Sequence, residues 1–61
     1  MPKTGDLVRQ IRRAGCVLVR HGKRHDIWQN PATGGRAAVS RHAKDIPSGT
    51  HDGILRDLGL A

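Results

Sequence analysis

Aromatic side chains are nearly absent from this chain, which has no phenylalanine, no tyrosine and one tryptophan, Trp28. Proteins that read single-stranded RNA by stacking its bases need two or three aromatic platforms. The composition therefore argues against the base-stacking recognition used by RRM and OB domains. Any binding of nucleic acid is expected to run through phosphate groups and overall shape.

Cysteine and long apolar runs are also scarce. The single cysteine, Cys16, cannot form an internal disulfide, and no apolar run approaches the length of a signal peptide or a membrane span. We therefore expect a cytoplasmic protein that does not associate with membranes. Cys16 lies in an apolar run, so we interpret it as a small core residue, and without a second thiol we expect no metal site.

Acidic residues are outnumbered by basic ones. The chain has eleven lysine and arginine residues against five acidic residues, all of them aspartate, and its formal net charge is +6. Arginine predominates among these cations, and its planar fork binds phosphate or carboxylate through two hydrogen bonds. This charge predicts a nucleic acid or an acidic protein as the partner. The alternative is a basic surface that only keeps the protein soluble.

The length of the chain limits the kind of site that it can build. Its 61 residues allow one domain, spanning residues 1–61. A chain this short buries only about 60% of the surface that its unfolded form exposes, which leaves no room for a deep pocket. We therefore expect a surface site that acts on a large or polymeric substrate.

Hydrophobic periodicity predicts the order helix, three strands, helix. The predicted bounds are residues 4–14 for the first helix, 16–20, 25–29 and 36–40 for the strands, and 48–58 for the second helix. Thr4 and Ser48 are the predicted N-terminal caps. Gly15 and Gly59 are expected to end the helices, and Leu60 completes a Schellman motif. Strands joined in succession by tight turns predict an antiparallel meander.

A basic turn leads into the second predicted strand, whose first residue is His25. Imidazole is the side chain whose unperturbed pKa lies closest to neutral, and Lys23 and Arg24 directly before it are of the kind that binds phosphate. A titratable base among such cations indicates RNA-directed chemistry. The alternative is a structural His25 that only hydrogen-bonds a neighbouring carbonyl.

The chain also resembles the HicA family, which are toxins of type II toxin–antitoxin modules, over roughly residues 4–60. The resemblance is carried, in order, by the glycine that ends the first helix, the strand that ends in Arg20, the turn into His25 with Ile27-Trp28-Gln29-Asn30-Pro31, then Val39-Ser40-Arg41-His42, Pro47-Ser48-Gly49-Thr50 and Gly59-Leu60. It implies an α+β, double-stranded-RNA-binding-domain-like α-β-β-β-α fold, with a three-stranded antiparallel sheet and two helices on one face.

The resemblance also implies a function. HicA proteins are metal-independent endoribonucleases that cleave mRNA without a cofactor and are neutralised by a HicB-type antitoxin. We expect the chain to be a monomer when free and part of a hetero-oligomer with the antitoxin. The alternatives are a non-catalytic module that binds double-stranded RNA and an inactive HicA homologue.

The family's catalytic histidine falls on His25, and its Val-Pro-x-His motif falls on residues 39–42, which end in His42. The chain departs from the family where Lys23-Arg24 replace the usual Gly-Ser and where Ser40 replaces proline. We expect His25 to act as general base or acid. His42 is the candidate for the second proton transfer, although a structural role is the alternative.

The remaining candidates are residues that bind RNA or the antitoxin. Lys23 and Arg24 are expected to bind the scissile phosphate, while Arg20 and Arg41, at strand ends, follow the RNA backbone. The predicted antitoxin contacts are Trp28, His25 and Arg24. Strand alternation places Trp28 and Asp26 on the face opposite His25, so Asp26 is not expected to orient the His25 ring. Trp28 either contacts a base or the antitoxin or covers the open face of the sheet, and His21 and His51 are expected to be solvated.

Overall fold

The computed structural model describes all 61 residues. The elements are α1 (Thr4–Arg13), β1 (Val17–His21), β2 (His25–Gln29), β3 (Arg36–Ser40) and α2 (Ser48–Asp57). The strands form one antiparallel sheet in the order β1-β2-β3. This arrangement confirms the predicted α+β fold and the order of its elements. Neither helix has the length and apolar character needed to cross a membrane.

One face of the sheet packs against both helices. Trp28, Ala37 and Val39 alternate along β2 and β3 on this face and are buried, whereas Ala38 on the opposite face is exposed. The buried residues form one cluster, which consists of Leu7, Ile11, Cys16, Trp28, Ala37, Val39, Ile46, Ile54, Leu55 and Leu58. Because residues of both helices belong to that cluster, the other face of the sheet stays open.

The ends of the two helices follow the sequence prediction. Gly15 and Gly59 have φ angles of 96° and 71°, a left-handed conformation that glycine adopts at little cost. After α2, the N–H of Leu60 donates to the carbonyl of Leu55 (2.8 Å) and the N–H of Gly59 donates to that of Arg56 (3.0 Å). These two bonds are the predicted Schellman motif.

The starts of the helices differ from the prediction. The N-caps are Lys3 and Pro47, so Thr4 and Ser48 are the first helical residues and neither side chain caps its helix. Tertiary contacts fix the start of α1 instead, because the backbone N–H of Thr4 donates to the carbonyl of Lys44 (3.0 Å). Any nearby acceptor can bind the N–H groups of a first helical turn. A capping residue in the sequence therefore does not determine which acceptor those N–H groups use.

The loop between β2 and β3 binds the end of α2. The buried Asn30 side chain donates from Nδ2 to the carbonyl of Leu58 (2.8 Å), and Thr33 Oγ1 donates to the same carbonyl (3.2 Å). Asn30 Oδ1 in turn accepts from the N–H of Ala32 (3.0 Å). A carbonyl at a helix end has no intrahelical donor, so these bonds satisfy it and attach α2 to the sheet.

β1 is an edge strand that contains a bulge. Leu18 pairs with Trp28, but the next pair is Arg20 with Ile27, so Val19 is one extra residue in β1. Beyond the bulge, His21 pairs with Asp26. An extra residue reverses the face on which the following side chains lie, so His21 is on the helix-covered face and Arg20 is on the open face.

Candidate functional site

His25 begins β2 on the open face of the sheet, where it pairs with Ser40 of β3. The residue is exposed, and its imidazole takes part in none of the side-chain hydrogen bonds of the structure. Its two ring nitrogens are therefore free to contact a substrate and to exchange a proton with it.

The turn before His25 depends on a glycine. The N–H of Gly22 donates to the carbonyl of His25 (2.8 Å), which closes the turn between β1 and β2. A Cβ atom on residue 22 would lie 2.6 Å from that carbonyl oxygen, closer than two such atoms can approach. Only glycine fits here without displacing the backbone of His25.

Three of the predicted phosphate-binding residues surround His25. Lys23 and Arg24 form the exposed turn immediately before it. Arg20 pairs with Ile27, and because Ile27 and His25 are two residues apart in β2, all three side chains share the open face. Arg36, which pairs with Gln29, adds a fourth cation to this face. Sequence reasoning missed Arg36, although its place at the start of a predicted strand was visible.

A shallow cavity of about 100 Å³ lies beside His25, between the open face and the start of α2. Its walls include Ser40, Pro47 and Thr50. Pockets that enclose a drug-sized ligand are typically about 300 to 1,000 Å³, so this cavity is too small to hold a nucleotide. A polymeric substrate would lie across the surface, as the short chain led us to expect.

Arg41 makes structural contacts that the sequence did not predict. Its Nη2 donates to the carbonyls of Gly22 (2.7 Å) and Lys23 (3.0 Å), and its Nη1 donates to Asp26 Oδ1 (3.0 Å). The guanidinium is thus committed to the turn that carries Lys23 and Arg24, and its side chain is 34% exposed. Arg41 therefore holds this turn in place.

His21 is not simply solvated, as the sequence had suggested. Its side chain is 64% exposed, but Nδ1 lies 2.8 Å from Asp26 Oδ1. Nδ1 also lies 3.1 Å from Arg41 Nη1, so Asp26 and Arg41 both hold this side of the ring, while Nε2 makes no hydrogen bond. Asp26 therefore orients His21, which lies on the helix-covered side, and makes no contact with the His25 ring. His51 also departs from the prediction, because its side chain is largely buried and lies 3.3 Å from Asp52.

A larger groove, here called the α1 groove, lies on the helix-covered side. It has a volume of about 590 Å³ and is bounded by the start of α1 (residues 3–6), by β1, and by the connection that follows β3 (residues 41–44). His21 and His42 both line it, whereas His25 lines the shallow cavity on the other side of the sheet. The structure thus does not bring His42 and His25 into one cavity.

Trp28 lies in the core and not at the surface. It is 4% exposed, and the Arg12 guanidinium lies 5.3 Å from the centre of its ring. Trp28 therefore does not cover the open face, which was one of the alternatives, and its burial leaves the ring little surface to offer a base or the antitoxin. The helices pack on the face that carries Trp28, and alternation alone does not reveal which face they select.

Cys16 is buried in the core, as the sequence predicted. Burial raises the pKa of the Cys16 thiol, which favours the protonated and unreactive form. No three histidine, cysteine or acidic side chains come together in an arrangement that could hold a metal ion.

Two comparisons with known proteins bear on this geometry. A protein-family model described as the HicA toxin of bacterial toxin–antitoxin matches residues 5–60. A search of curated proteins gave no match. The matched residues include the three strands, α2 and all of α1 except Thr4, together with the turn that carries Lys23 and Arg24 and the histidine that follows it.

Proposed function

Because the chain belongs to the HicA toxin family of bacterial toxin–antitoxin systems, we propose that it is an endoribonuclease that cleaves mRNA without a metal or cofactor. His25 is the catalytic residue in this proposal. The observation that carries it is the exposed, unpartnered His25 imidazole directly after the cationic Lys23-Arg24 turn. None of the other three histidines is both free of side-chain hydrogen bonds and adjacent to Lys23 and Arg24.

The reaction needs only groups that this surface offers. The 2′-hydroxyl of the RNA attacks the adjacent phosphorus, and its proton passes to a base. The bond from phosphorus to the 5′-oxygen breaks, and that oxygen receives a proton, which leaves a 2′,3′-cyclic phosphate and a 5′-hydroxyl. His25 supplies one of these proton transfers. A positioned general acid or base contributes about 10² to 10⁴ in rate, which suits a toxin that needs only slow turnover.

The cations around His25 have distinct roles in this proposal. Lys23 and Arg24 bind the scissile phosphate and stabilise the charge that develops on its oxygens. Arg20, on the same face as His25, binds the next phosphate along the strand. Arg41 is a positioning residue for the scissile phosphate, since it holds the turn that carries Lys23 and Arg24.

The family implies an antitoxin partner. We propose that it is of the HicB type and that it covers His25 and Arg24, so that inhibition and substrate binding compete for one surface. A protein with a net charge of +6 favours an acidic partner. The free toxin would be a monomer in the cytoplasm, where mRNA is available, and would join a hetero-oligomer with the antitoxin.

The His25→Ala variant tests the proposal. It should lose growth arrest on expression and lower RNA decay by the purified protein by at least about 10²-fold, with or without a chelator. His51→Ala is the matched control, because His51 contacts Asp52 at the start of α2 and should keep full activity. Circular dichroism establishes that both variants fold. Full toxicity of a folded His25→Ala variant would overturn the assignment.

A non-catalytic module that binds double-stranded RNA is the second candidate, and the high positive charge of the chain favours it. Such a module would bind duplex with a steep dependence on salt and would cleave nothing. Cells that express the chain alone separate the two candidates, because they should tolerate a binding module and stop growing with a ribonuclease.

A further inference from the structure

The cationic side chains that line the α1 groove outnumber the acidic side chains that pair with them. Four cations line it, namely Lys3, Arg12, Arg41 and Lys44, together with the two acidic residues Asp6 and Asp26. Each acidic residue already has a cation, since Arg9 lies 3.4 Å from Asp6 and Arg41 lies 3.0 Å from Asp26. Lys3 Nζ lies 3.8 Å from Asp45 Oδ1, whereas Lys44 and Arg12 have no acidic partner. The groove therefore attracts an anion.

Two side chains at this groove also bury a polar atom that has no hydrogen-bond partner. These atoms are Thr4 Oγ1 and Trp28 Nε1, and the two residues are 8% and 4% exposed. Both residues line the groove. Buried polar atoms without a partner are rare in folded proteins, and each one calls for a physical reason. Both atoms can donate a hydrogen bond, but neither is accessible to solvent, so an acceptor oxygen could satisfy them only if the wall of the groove shifts.

The first turn of α1 adds donors of the same kind. The N–H of Thr4 is already bound to the Lys44 carbonyl, but the N–H groups of Gly5 and Asp6 lack acceptors within the helix. A helix of this length carries a partial positive charge at its start, which favours phosphate groups. Asp6 opposes this effect, but its pairing with Arg9 reduces the opposition.

His21 brings an oriented imidazole to the same groove. Its contacts with Asp26 and Arg41 hold the ring, and Nε2 makes no hydrogen bond. From the charge, the unpartnered donors and this imidazole together, we infer that the α1 groove binds a phosphate-bearing segment of RNA, with Lys44, Arg12 and His21 as contacts. The identity of the polyanion rests on the proposed ribonuclease function. The groove volume of about 590 Å³ suits one nucleotide.

One RNA strand can contact both sides of the sheet. Ser40 and Ala43 line both the α1 groove and the shallow cavity beside His25. A strand that is cleaved at His25 can therefore cross the end of β3 and enter the groove a short distance away. In this arrangement the groove contributes affinity, whereas His25 contributes the proton transfer.

Binding of a short 2′-O-methyl RNA tests the inference, because this probe lacks the nucleophilic 2′-hydroxyl. Lys44→Ala and Arg12→Ala should each weaken its binding by roughly tenfold, the loss expected for one charge-assisted hydrogen bond. Arg13→Ala is the matched control, since Arg13 is the exposed neighbour of Arg12 in α1 and does not line the groove. It removes the same charge and should weaken binding by less than about threefold.

Magnetic resonance of the labelled protein locates the probe. Because Trp28 is the only tryptophan, its indole N–H gives one signal, and RNA should shift it together with the amides of residues 4–6 and 44. Shifts confined to Arg20 and to residues 23–25, on the His25 side of the sheet, would overturn the inference. So would an equal loss of affinity in Arg13→Ala and Lys44→Ala, or shifts in the groove caused by the antitoxin and not by RNA.

Different results would contradict RNA binding in the α1 groove and cleavage at His25. The ribonuclease proposal fails when His25→Ala still cleaves RNA. The groove inference fails when Lys44→Ala and Arg12→Ala bind the probe as tightly as the unaltered protein. His25→Ala should keep most of its affinity for the probe, so the same titration in this variant separates binding from chemistry.

Discussion

His21 and Asp26 face each other across β1 and β2, with His21 Nδ1 2.8 Å from Asp26 Oδ1. The bulge at Val19 creates this pair. In a regular ladder continuing from the Leu18–Trp28 pair, Arg20 would oppose Asp26. The extra residue instead sends His21 to the helix-covered side and Arg20 to the face of His25. One residue thus decides which side chains reach each face.

Asp26→Asn should destabilise the protein. The Asp26 side chain is 15% exposed and binds both Arg41 and His21. Without its charge, Arg41 loses a charge-assisted hydrogen bond, and we expect the free energy of unfolding to fall by about 1 to 3 kcal/mol. Urea denaturation measures this change. Asp52→Asn is the control, because the Asp52 side chain is 67% exposed and its change should stay within about 0.5 kcal/mol.

Gly22→Ala should impair cleavage more than it impairs RNA binding. A Cβ at residue 22 collides with the carbonyl oxygen of His25, so the backbone that carries the catalytic residue must move. A displacement of about 1 Å can cost roughly 10² in rate. RNA decay and binding of a 2′-O-methyl RNA are measured side by side.

Gly53→Ala provides the control for this glycine. Nothing lies within 4 Å of a Cβ at Gly53, which is inside α2. Alanine there should stabilise the helix by about 0.5 to 1 kcal/mol and leave cleavage unchanged. Equal activity of the two alanine variants would contradict the role assigned to Gly22.

Asn30→Ala should loosen the attachment of α2 to the sheet. The substitution removes the donor to the Leu58 carbonyl and the acceptor for the Ala32 N–H. We expect a loss of about 1 to 3 kcal/mol, measured by urea denaturation. Gln10→Ala, at an exposed position of α1, should change stability by less than about 0.5 kcal/mol. An Asn30 variant as stable as the Gln10 variant would show that the loop does not hold the helix.

Cys16 should react with a thiol reagent only when the protein unfolds. Burial raises the pKa of the Cys16 thiol above its ordinary value of 9.0. The native state then keeps a proton that the unfolded state releases, so this contribution to stability is complete below about pH 9 and is lost as the pH rises through the folded pKa. Above about pH 9, the Tm of the protein should fall more steeply than that of Cys16→Ala. Parallel curves would contradict this expectation.

Much of the fold follows from local sequence patterns. Helical spacing of Leu7 and Ile11 predicts α1, and the glycines after each helix determine where it ends. Turn residues around Gly22 and Asn30 separate the strands, so the predicted strand bounds lie within one residue of those observed. These features are local, because each depends on neighbours within a few positions along the chain.

The rest depends on contacts between distant residues. Alternation correctly groups Trp28 with Asp26, but the choice of the face that both helices cover depends on the packing of the whole core. The bulge at Val19 has no sequence signal in a run of apolar residues, so the pairing of His21 with Asp26 could not be derived. The same holds for Arg41, whose partners lie fifteen or more residues away along the chain.

The irregularity at Val19 also bears on how the free protein behaves at high concentration. Val17, Leu18 and Val19 are exposed on the outer strand of the sheet. If this apolar edge were flat, it would be a template for pairing with strands of other molecules. The bulge twists that edge and breaks its regular row of hydrogen-bonding groups, while Arg20 adds charge beside it. The bulge that directs His21 into the α1 groove is therefore also expected to limit edge-to-edge pairing between copies of the chain.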